Sequence, residues 1–148
     1  MTEPVIDRMR PADAADAAAL ETVCLGTEAW SEKLLVEAVG RSDSIYLVAR
    51  VDGRQVGHAG IRNICGEGEI TNVCVDPGFR GRGIAGQLLD RLLREGRTRG
   101  IGDCTLEVRA SNEAAIRLYK KAGFSSEGIR PGFYEAPADD ALIMWLRG

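Results

Sequence analysis

The chain has 148 residues, 45% of them hydrophobic, and a formal net charge of −3. This length suits one core, so we predict a single domain over residues 1–148, and the weak negative charge argues against nucleic acid as a partner. No apolar run approaches the roughly 18 residues of a membrane span, and the N-terminus lacks a signal-peptide pattern, so we expect a cytoplasmic protein without a membrane partner.

The first half of the chain predicts a strand, two helices and a hairpin. "PVIDRMR" is typical of a short strand, and Asp13 is expected to cap the helix that follows. The apolar face of that helix is predicted to hold Ala15, Ala19, Leu20, Val23 and Cys24. Ser31 is expected to cap a second helix, "EKLLVEAV". "SIYLVARV" and "RQVGHAGIRNI" flank the pair Asp52-Gly53, which predicts a hairpin with a type I′ turn.

The second half alternates strands and helices. "GEITNVCVD" is a predicted strand ended by Pro77, and residues 84–99 form the clearest helix. "DCTLEVRA" predicts a strand that places Glu107 opposite its apolar face, followed by a short helix capped by Ser111 or Asn112. "FSSEGIR" and "ALIMWLR" are predicted strands joined by a loop, "PGFYEAPADD". This order predicts an α/β (α+β) fold with one mixed sheet, an antiparallel meander first and two crossover helices later.

The segment "RGRGIAG", residues 80–86, has the spacing G-x-G-x-x-G at Gly81, Gly83 and Gly86. A dinucleotide-binding fold carries this loop directly after its first strand and needs a second nucleotide-binding half. Four predicted strands precede the loop and no second half fits after it, which excludes that fold. A P-loop is excluded because no Gly-Lys-Ser/Thr follows.

Two interpretations of the loop remain, a tight turn without a ligand and an anion site at the beginning of a helix. The predicted helix near Ile84 favours the anion site, because its free N–H groups and positive dipole end face the loop. Arg80 and Arg82 add positive charge. The sequence therefore predicts a loop that holds a pyrophosphate by backbone amides.

Related motifs extend from this loop across nearly the whole chain. "RGRGIA" matches the motif Q/R-x-x-G-x-G/A, and "LEVRASNEAAIRLYKKAGF" is the most specific stretch. On these motifs the chain resembles the GCN5-related N-acetyltransferases, in which the loop cradles the pyrophosphate of acetyl-CoA. "WSEK" and "R-x-x-F-Y…D-A-L-I-M" resemble the RimI-type branch, which acetylates the N-terminal alanine of a small-subunit ribosomal protein. The resemblance implies a central, mostly antiparallel mixed sheet flanked by about four helices.

Acetyl transfer to an amine needs an acceptor for the proton of an α-ammonium group with a pKa of about 8. It also benefits from a donor to the departing thiolate. The resemblance implies that Glu107 is the acceptor and Tyr119 the donor. The pattern alone also fits a surface glutamate paired with Arg109 or Arg117, and a tyrosine packed in the core.

The resemblance also assigns contacts with acetyl-CoA to the strand before the loop, to the loop itself and to the cap of the short helix. These residues are Val73, Cys74, Val75, Gly81, Arg82, Gly83, Ile84, Ala85, Gly86 and Asn112. Asn112 fits a helix cap equally well. We expect Cys74 to pack rather than to act as a nucleophile, since no histidine is near it in sequence. We expect no metal, because His58 is the single histidine and the four cysteines lack metal-site spacing.

Substrate contacts are predicted for Trp30 and for the pair Phe133-Tyr134, which lie in predicted loops that flank the peptide groove in the family. Acidic residues near both loops suit a basic N-terminal peptide. The segment after Tyr134 is shorter than in the bacterial enzymes, and Phe133 stands where a second tyrosine is common, so peptide preference is open. Two rivals remain: an acetyltransferase of small-molecule amines, and a non-catalytic CoA-binding module that would need neither Glu107 nor Tyr119.

Overall fold

The computed structural model describes residues 2–148, which form seven strands and four helices around one sheet. The strands are β1 (Val5–Arg8), β2 (Ser44–Val51), β3 (Arg54–Ile64), β4 (Glu67–Val75), β5 (Cys104–Arg109), β6 (Ser125–Glu135) and β7 (Ala138–Leu146). The helices are α1 (Ala14–Leu25), α2 (Glu32–Val39), α3 (Ile84–Thr98) and α4 (Glu113–Lys121). Within residues 2–148, no helix is long and apolar enough to cross a membrane.

The sheet has the strand order β1-β2-β3-β4-β5-β7-β6. β1 to β4 form an antiparallel meander, α3 leads from β4 to the parallel strand β5, and β7 inserts antiparallel between β5 and β6. Helices α1 and α2 cover one face, while α3 and α4 contribute to the main core on the other. This arrangement confirms the predicted α/β fold with a mixed, mostly antiparallel sheet.

Several local predictions are confirmed. Asp52 and Gly53 have φ values of 50° and 80°, as a type I′ turn requires. The Ser31 hydroxyl accepts a hydrogen bond from Leu34 N–H at 3.2 Å and so caps α2. The predicted apolar face of α3 is buried throughout: Ile84, Leu88, Leu89, Leu92 and Leu93.

The prediction for α1 is wrong in two respects. The Asp13 carboxylate does not cap the helix; it accepts from Arg10 N–H at 2.8 Å and pairs with Arg50 at 2.6 Å. The buried face holds Ala14, Ala17, Leu20 and Glu21, whereas Ala15, Ala19 and Val23 are exposed. Alanine residues occur on every side of this helix, so hydrophobicity barely distinguishes its faces. The residue that marks the buried face, Glu21, is charged.

The segment predicted as a loop between the last two strands is largely strand. Tyr134 pairs with Asp139 and Glu135 with Ala138, so Phe133 and Tyr134 belong to β6. Pro131 and Gly132 suggested a break, but β6 is an edge strand, where a proline is tolerated. A register irregularity between Arg130 and Tyr134 accommodates both residues and redirects the strand.

One carboxylate lies entirely inside the protein, between α1 and the sheet. Glu21 Oε1 accepts from Trp30 N–H at 3.0 Å. Its Oε2 lies 2.7 Å from His58 Nε2 and accepts from Asn72 Nδ2 at 3.0 Å and from Cys74 Sγ at 3.2 Å. Burial raises the pKa of Glu21, but the hydrogen bonds from His58, Trp30 and Cys74 outweigh it, so the net pKa is lowered.

Glu21, His58 and Cys74 are residue types that bind metals, and their ligand atoms all lie within 4.8 Å of one another. Tetrahedral zinc with bonds of about 2.0–2.1 Å separates nitrogen and oxygen ligands by roughly 3.3 Å. The Glu21–His58 distance of 2.7 Å is instead that of a direct hydrogen bond. The cluster therefore has the geometry of a hydrogen-bond network that joins α1 to β3 and β4.

We predict that Glu21→Ala lowers the free energy of unfolding by about 3–5 kcal/mol, because it leaves buried donors without an acceptor. Urea unfolding at neutral pH measures this loss, with the exposed Glu67→Gln variant as a control. The folded pKa of Glu21 is below its unfolded value. Its contribution is therefore present above the unfolded pKa and lost as the pH falls through the folded pKa. The gap between wild type and variant should narrow in acid, and equal stability at neutral pH would contradict the prediction.

Candidate active site

The site begins where β4 and β5 separate. The two parallel strands pair only at Gly68–Cys104 and Glu69–Thr105. A Cβ atom on Gly68 would lie 2.8 Å from Ile101 and 2.9 Å from Ile61, so glycine is needed at this close approach. Beyond the second pair the strands diverge, and a cleft of about 190 Å³ opens between them.

The cleft brings together predicted site residues from three separate elements. Val73 comes from β4, Glu107 from β5, and Tyr119 from α4, with the helix cap Asn112 beside it. The Asn112 side chain accepts from Ala115 N–H at 3.1 Å, which confirms the predicted cap. Tyr134 of β6 closes one side. Residues far apart in sequence thus surround one space large enough for a reacting group.

Glu107 lies in the middle of β5, on the face opposite the buried Leu106 and Val108. Its side chain is one third exposed, and its carboxylate pairs with Arg130, with Nη1 3.9 Å from Oε2. The alternative pairing with Arg109 is not seen, because Arg109 binds another carboxylate. At this distance Arg130 forms only a weak, partly solvated ion pair, which leaves the Glu107 carboxylate available to accept a proton.

Tyr119 is buried, and its ring packs edge-on against Phe124 with centroids 5.9 Å apart. Burial raises the pKa of Tyr119, so the hydroxyl carries its proton at neutral pH. The two interpretations of this residue are compatible, because the ring packs in the core while the residue also lines the cleft. Its hydroxyl is therefore a protonated group at the wall of the cleft.

The glycine loop has the geometry of an anion site at the N-terminus of α3. Gly81 and Gly83 have φ values of 76° and 77°, which favour glycine, and a Cβ atom on either would meet no atom within 4 Å. Gln87 N–H donates to Gly83 O at 3.1 Å, whereas across the described chain the amides of residues 81–86 have no protein acceptor. Arg82 lies over the Phe79 ring, 4.7 Å from its centroid.

The structure does not place the glycine loop in the same cavity as Glu107. Gly81, Arg82 and Ile84 border a separate depression of about 140 Å³ beside the N-terminal segment. Arg80 connects the two regions: its Nε donates to Val75 O at 3.4 Å and its Nη2 lies 3.6 Å from Cys24 Sγ at the cleft. Of the remaining predicted residues, Ala85 and Gly86 belong to the first turn of α3, and Val75 packs in the main core.

Cys74 packs inside the protein, as the sequence predicts. Its side chain is buried and donates to Glu21, so only its backbone belongs to the β4 segment beside the cleft. Cys24, which the sequence did not single out, lines the cleft instead. The neighbouring Cys74 thiol, and then the Arg80 guanidinium 3.6 Å from Sγ, lower the pKa of Cys24.

A second pocket of about 370 Å³ adjoins the first across Glu107. It contains all three predicted substrate residues: Trp30 on one wall, and Phe133 with Tyr134 on the other. The Phe133 and Tyr134 rings meet edge-on with centroids 5.0 Å apart. The pocket reaches Glu107 but not Tyr119, and it is lined by aromatic rings and carboxylates.

The two walls are joined by an ion pair that sequence analysis missed. Arg109 donates to both oxygens of Glu28 at 2.9 and 2.8 Å and to Pro137 O at 2.7 Å. Its guanidinium also lies 4.3 Å from the Tyr134 ring centroid. The hydrogen bond from Arg109 is the main cause of a lowered pKa at Glu28. The alternation of side chains along β5 indicated which face of the strand carries Arg109. No local sequence pattern, however, identifies an ion-pair partner 81 residues away.

This ion pair also revises the expected acidity of the walls. The charge of Glu28 is neutralised by Arg109, and Asp139 accepts hydrogen bonds from the Ser111 amide and hydroxyl at 3.2 and 2.6 Å. Asp139 and Asp140 lie in β7 rather than in a loop. Fewer free carboxylates therefore face the pocket than the sequence suggested, and Glu69 and Glu107 are its other acidic residues.

Comparison with known proteins relates the chain to N-acetyltransferases. Residues 13–124 match the Acetyltransferase (GNAT) family. A ribosomal protein bS18-alanine N-acetyltransferase of Salmonella typhimurium is 39% identical over 121 residues, covering 79% of this chain and 80% of the relative. The N-alpha-acetyltransferase RimI of Mycobacterium tuberculosis is 36% identical over 149 residues, covering 97% and 92%. An uncharacterized protein of Mycobacterium leprae, ML0378, is 37% identical over 145 residues, but the chain spans only 40% of its length.

The fold agrees with these sequence relationships. The crystal structure of the ribosomal-protein-S18-alanine N-acetyltransferase from Escherichia coli superposes with a TM-score of 0.89 at 30% identity, covering 98% of this chain and 94% of that one. The overall fold is thus shared with this relative, and the chain belongs to the GNAT family of N-acetyltransferases.

Proposed function

We propose that the chain acetylates the N-terminal α-amino group of a protein by direct transfer from acetyl-CoA, with Glu107 as the base and Tyr119 as the acid. The observation that carries the proposal is the cleft between β4 and β5, which brings a partly exposed carboxylate and a protonated tyrosine to one space. A binding module would need neither group. Relatives named as alanine or N-alpha-acetyltransferases support a protein substrate, and we extend the proposal to the N-terminal alanine of a small-subunit ribosomal protein.

The residues present fit acetyl-CoA, which supplies the acetyl group as an activated thioester. The free amides of residues 81–86 and the positive end of α3 suit its pyrophosphate, and the open space over Gly81 and Gly83 allows close approach. From Ile70 onward, the edge of β4 that faces β5 has no strand partner, so Val73 and its neighbours offer main-chain groups to an extended arm. Asn112 stands at the far side of the cleft.

The chemistry follows from the positions of the ionisable groups. Glu107 accepts the proton of the substrate ammonium, directly or through a water, and thereby produces the nucleophilic amine. The amine nitrogen bonds to the carbonyl carbon of the acetyl group as the bond from that carbon to sulfur breaks, and Tyr119 donates its proton to the departing sulfur. The second proton that the nitrogen loses restores the tyrosine hydroxyl. The chain's single histidine is engaged with Glu21 in the core, and Cys74 is buried in the same cluster, so neither forms a nucleophile–base pair at the cleft.

The test of the substrate class is an acetyl-CoA assay on a panel of amines. The panel holds N-terminal peptides that begin with alanine, the same peptides with a blocked N-terminus but a free lysine, free amino acids and polyamines. We expect kcat/KM to be highest for free alanine N-termini and the blocked peptides to remain unmodified by mass spectrometry. Turnover confined to free amino acids or polyamines would overturn the proposed substrate.

We predict that Glu107→Gln lowers kcat by about 100- to 10,000-fold, because a positioned base contributes that much to amine attack. Glutamine keeps the size and hydrogen-bonding reach of the side chain but cannot accept the proton. The affinity for acetyl-CoA, measured by calorimetry, should not change. Glu67→Gln, at the exposed start of β4, is the matched control. Near-normal turnover of Glu107→Gln would exclude the base role.

Tyr119→Phe should lower kcat strongly while leaving the affinity for acetyl-CoA and the thermal unfolding temperature close to wild type. The phenylalanine ring preserves the packing against Phe124, and only the proton donor is lost. The measurements are steady-state kinetics, calorimetry and a thermal melt on the same preparation. A variant that loses cofactor affinity but keeps kcat at saturation would show that the hydroxyl binds rather than donates.

A further inference from the structure

A third cavity, which we call the α2 groove, continues from the pocket that holds Trp30, Phe133 and Tyr134. Its volume is about 520 Å³, larger than that of either cavity at Glu107. It lies between α2 and the adjoining face of β2, β3 and β4. Trp30, Glu69 and Thr71 line both this groove and the pocket beside Glu107, so the two spaces share a wall.

The floor of the α2 groove is rigid. The Tyr46 ring lies flat over Gly60, where a Cβ atom would come within 2.2 Å of the ring. The Tyr46 hydroxyl is 2.7 Å from Thr71 Oγ1 and donates to Asn72 Oδ1 at 3.2 Å. Burial raises the pKa of Tyr46 to about 12, so this hydroxyl stays protonated and the hydrogen bonds persist at neutral pH. The floor is therefore fixed before any ligand arrives.

The walls of the α2 groove combine apolar surface with acidic charge. Leu34 of α2 is 48% exposed on one wall. Arg41 and Arg62 share the single carboxylate of Asp43, at 2.8 and 3.4 Å, so one of their two positive charges is compensated. Within residues 2–148 neither Glu37 nor Glu69 forms an ion pair. With Asp43 counted, three carboxylates stand against two guanidinium groups, so the groove carries one net negative charge.

We propose that the α2 groove binds the segment of the substrate polypeptide that follows its N-terminal residues, and that it prefers a basic segment. This inference rests on the proposed function. A peptide whose α-amine reaches Glu107 fills the adjoining pocket with its first residues, and an extended chain advances about 3.3–3.6 Å per residue. The chain past Trp30 then enters a groove whose floor offers Thr71, whose wall offers Leu34, and whose carboxylates attract lysine or arginine.

This occupant fits better than a small amine or a second copy of the chain. A free amino acid or polyamine is held at Glu107 and leaves the groove unused. A second copy would have to bury an apolar patch, whereas acidic and paired basic residues border Leu34 here. A polypeptide fits the mixed apolar and charged walls, because its side chains alternate along an extended backbone. Its length also connects the groove with the pocket at Glu107.

The test compares kcat/KM for an alanine-initiated tripeptide amide with that for three nonapeptides that share its first three residues. Residues 4–9 are Lys/Ser, Glu/Ser or Gly/Ser repeats. We expect the Lys/Ser peptide to exceed the tripeptide by roughly tenfold and the Glu/Ser peptide to gain nothing, since each exposed ion pair contributes a factor of about 1.4 to 5. The Lys/Ser advantage should also shrink as sodium chloride is raised from 50 to about 500 mM.

Glu37→Gln and Leu34→Lys test the groove itself, since both residues line the groove and not the pocket beside Glu107. Each should reduce the ratio of Lys/Ser peptide to tripeptide by roughly threefold or more, while Asp90→Asn, an exposed change on α3, should leave the ratio unchanged. Equal kcat/KM for all four peptides would overturn the inference while leaving the proposed function intact. Acetylation of free amines but of no peptide would overturn both. A wild-type dimer that Leu34→Lys dissociates would assign the groove to a second copy.

Discussion

The separation of β4 from β5 after two residue pairs is the constraint on which the site depends. Two adjacent parallel strands normally continue their ladder, and here the ladder stops at Glu69–Thr105. Gly68 permits the close approach before that point, and β7 supplies the antiparallel partner that β5 needs on its other side. Because β5 remains paired with β7, it can leave β4 without losing all its backbone hydrogen bonds. The opening therefore costs little and exposes strand edges to a ligand.

Two charge-based contacts hold the walls of this opening. Glu21 fixes the backbone of Trp30 from inside the core, and Arg109 fixes Glu28 from the sheet. Both contacts act on the segment between α1 and α2, which has few apolar side chains to anchor it. Arg109 also contacts Tyr134, so the two walls of the substrate pocket share one cation. Because Arg109 contacts both walls, a displacement of one wall also affects the other. Arg109 belongs to β5, so both walls are positioned relative to β5 and Glu107.

Sequence patterns predicted the features that local physics decides. Alternation along β5 set the side of Glu107, the leucine spacing defined α3, and Asp52-Gly53 and Ser31 specified a turn and a cap. Features that depend on distant partners were missed. The buried face of α1 is marked by Glu21, whose role appears only when His58 and Asn72 are brought to it. A single histidine in a buried strand was the available signal, since a buried imidazole requires a polar partner.

The division of the site also explains why its chemistry is easier to infer than its substrate. In the proposed mechanism a base and an acid act on the amine and the sulfur, which every substrate of this reaction has, so the roles proposed for Glu107 and Tyr119 carry no information on specificity. The substrate contacts that we propose, Trp30, Phe133, Tyr134 and the α2 groove, come from segments with different structural supports. The register irregularity between Arg130 and Tyr134 lies in the edge strand β6 and just before Tyr134, whereas Glu107 lies in β5, which pairs with β7 in continuous register. We therefore expect that substrate preference can change through the geometry of the edge strand β6 and the charge of the pocket walls, while β5 and Glu107 stay in place.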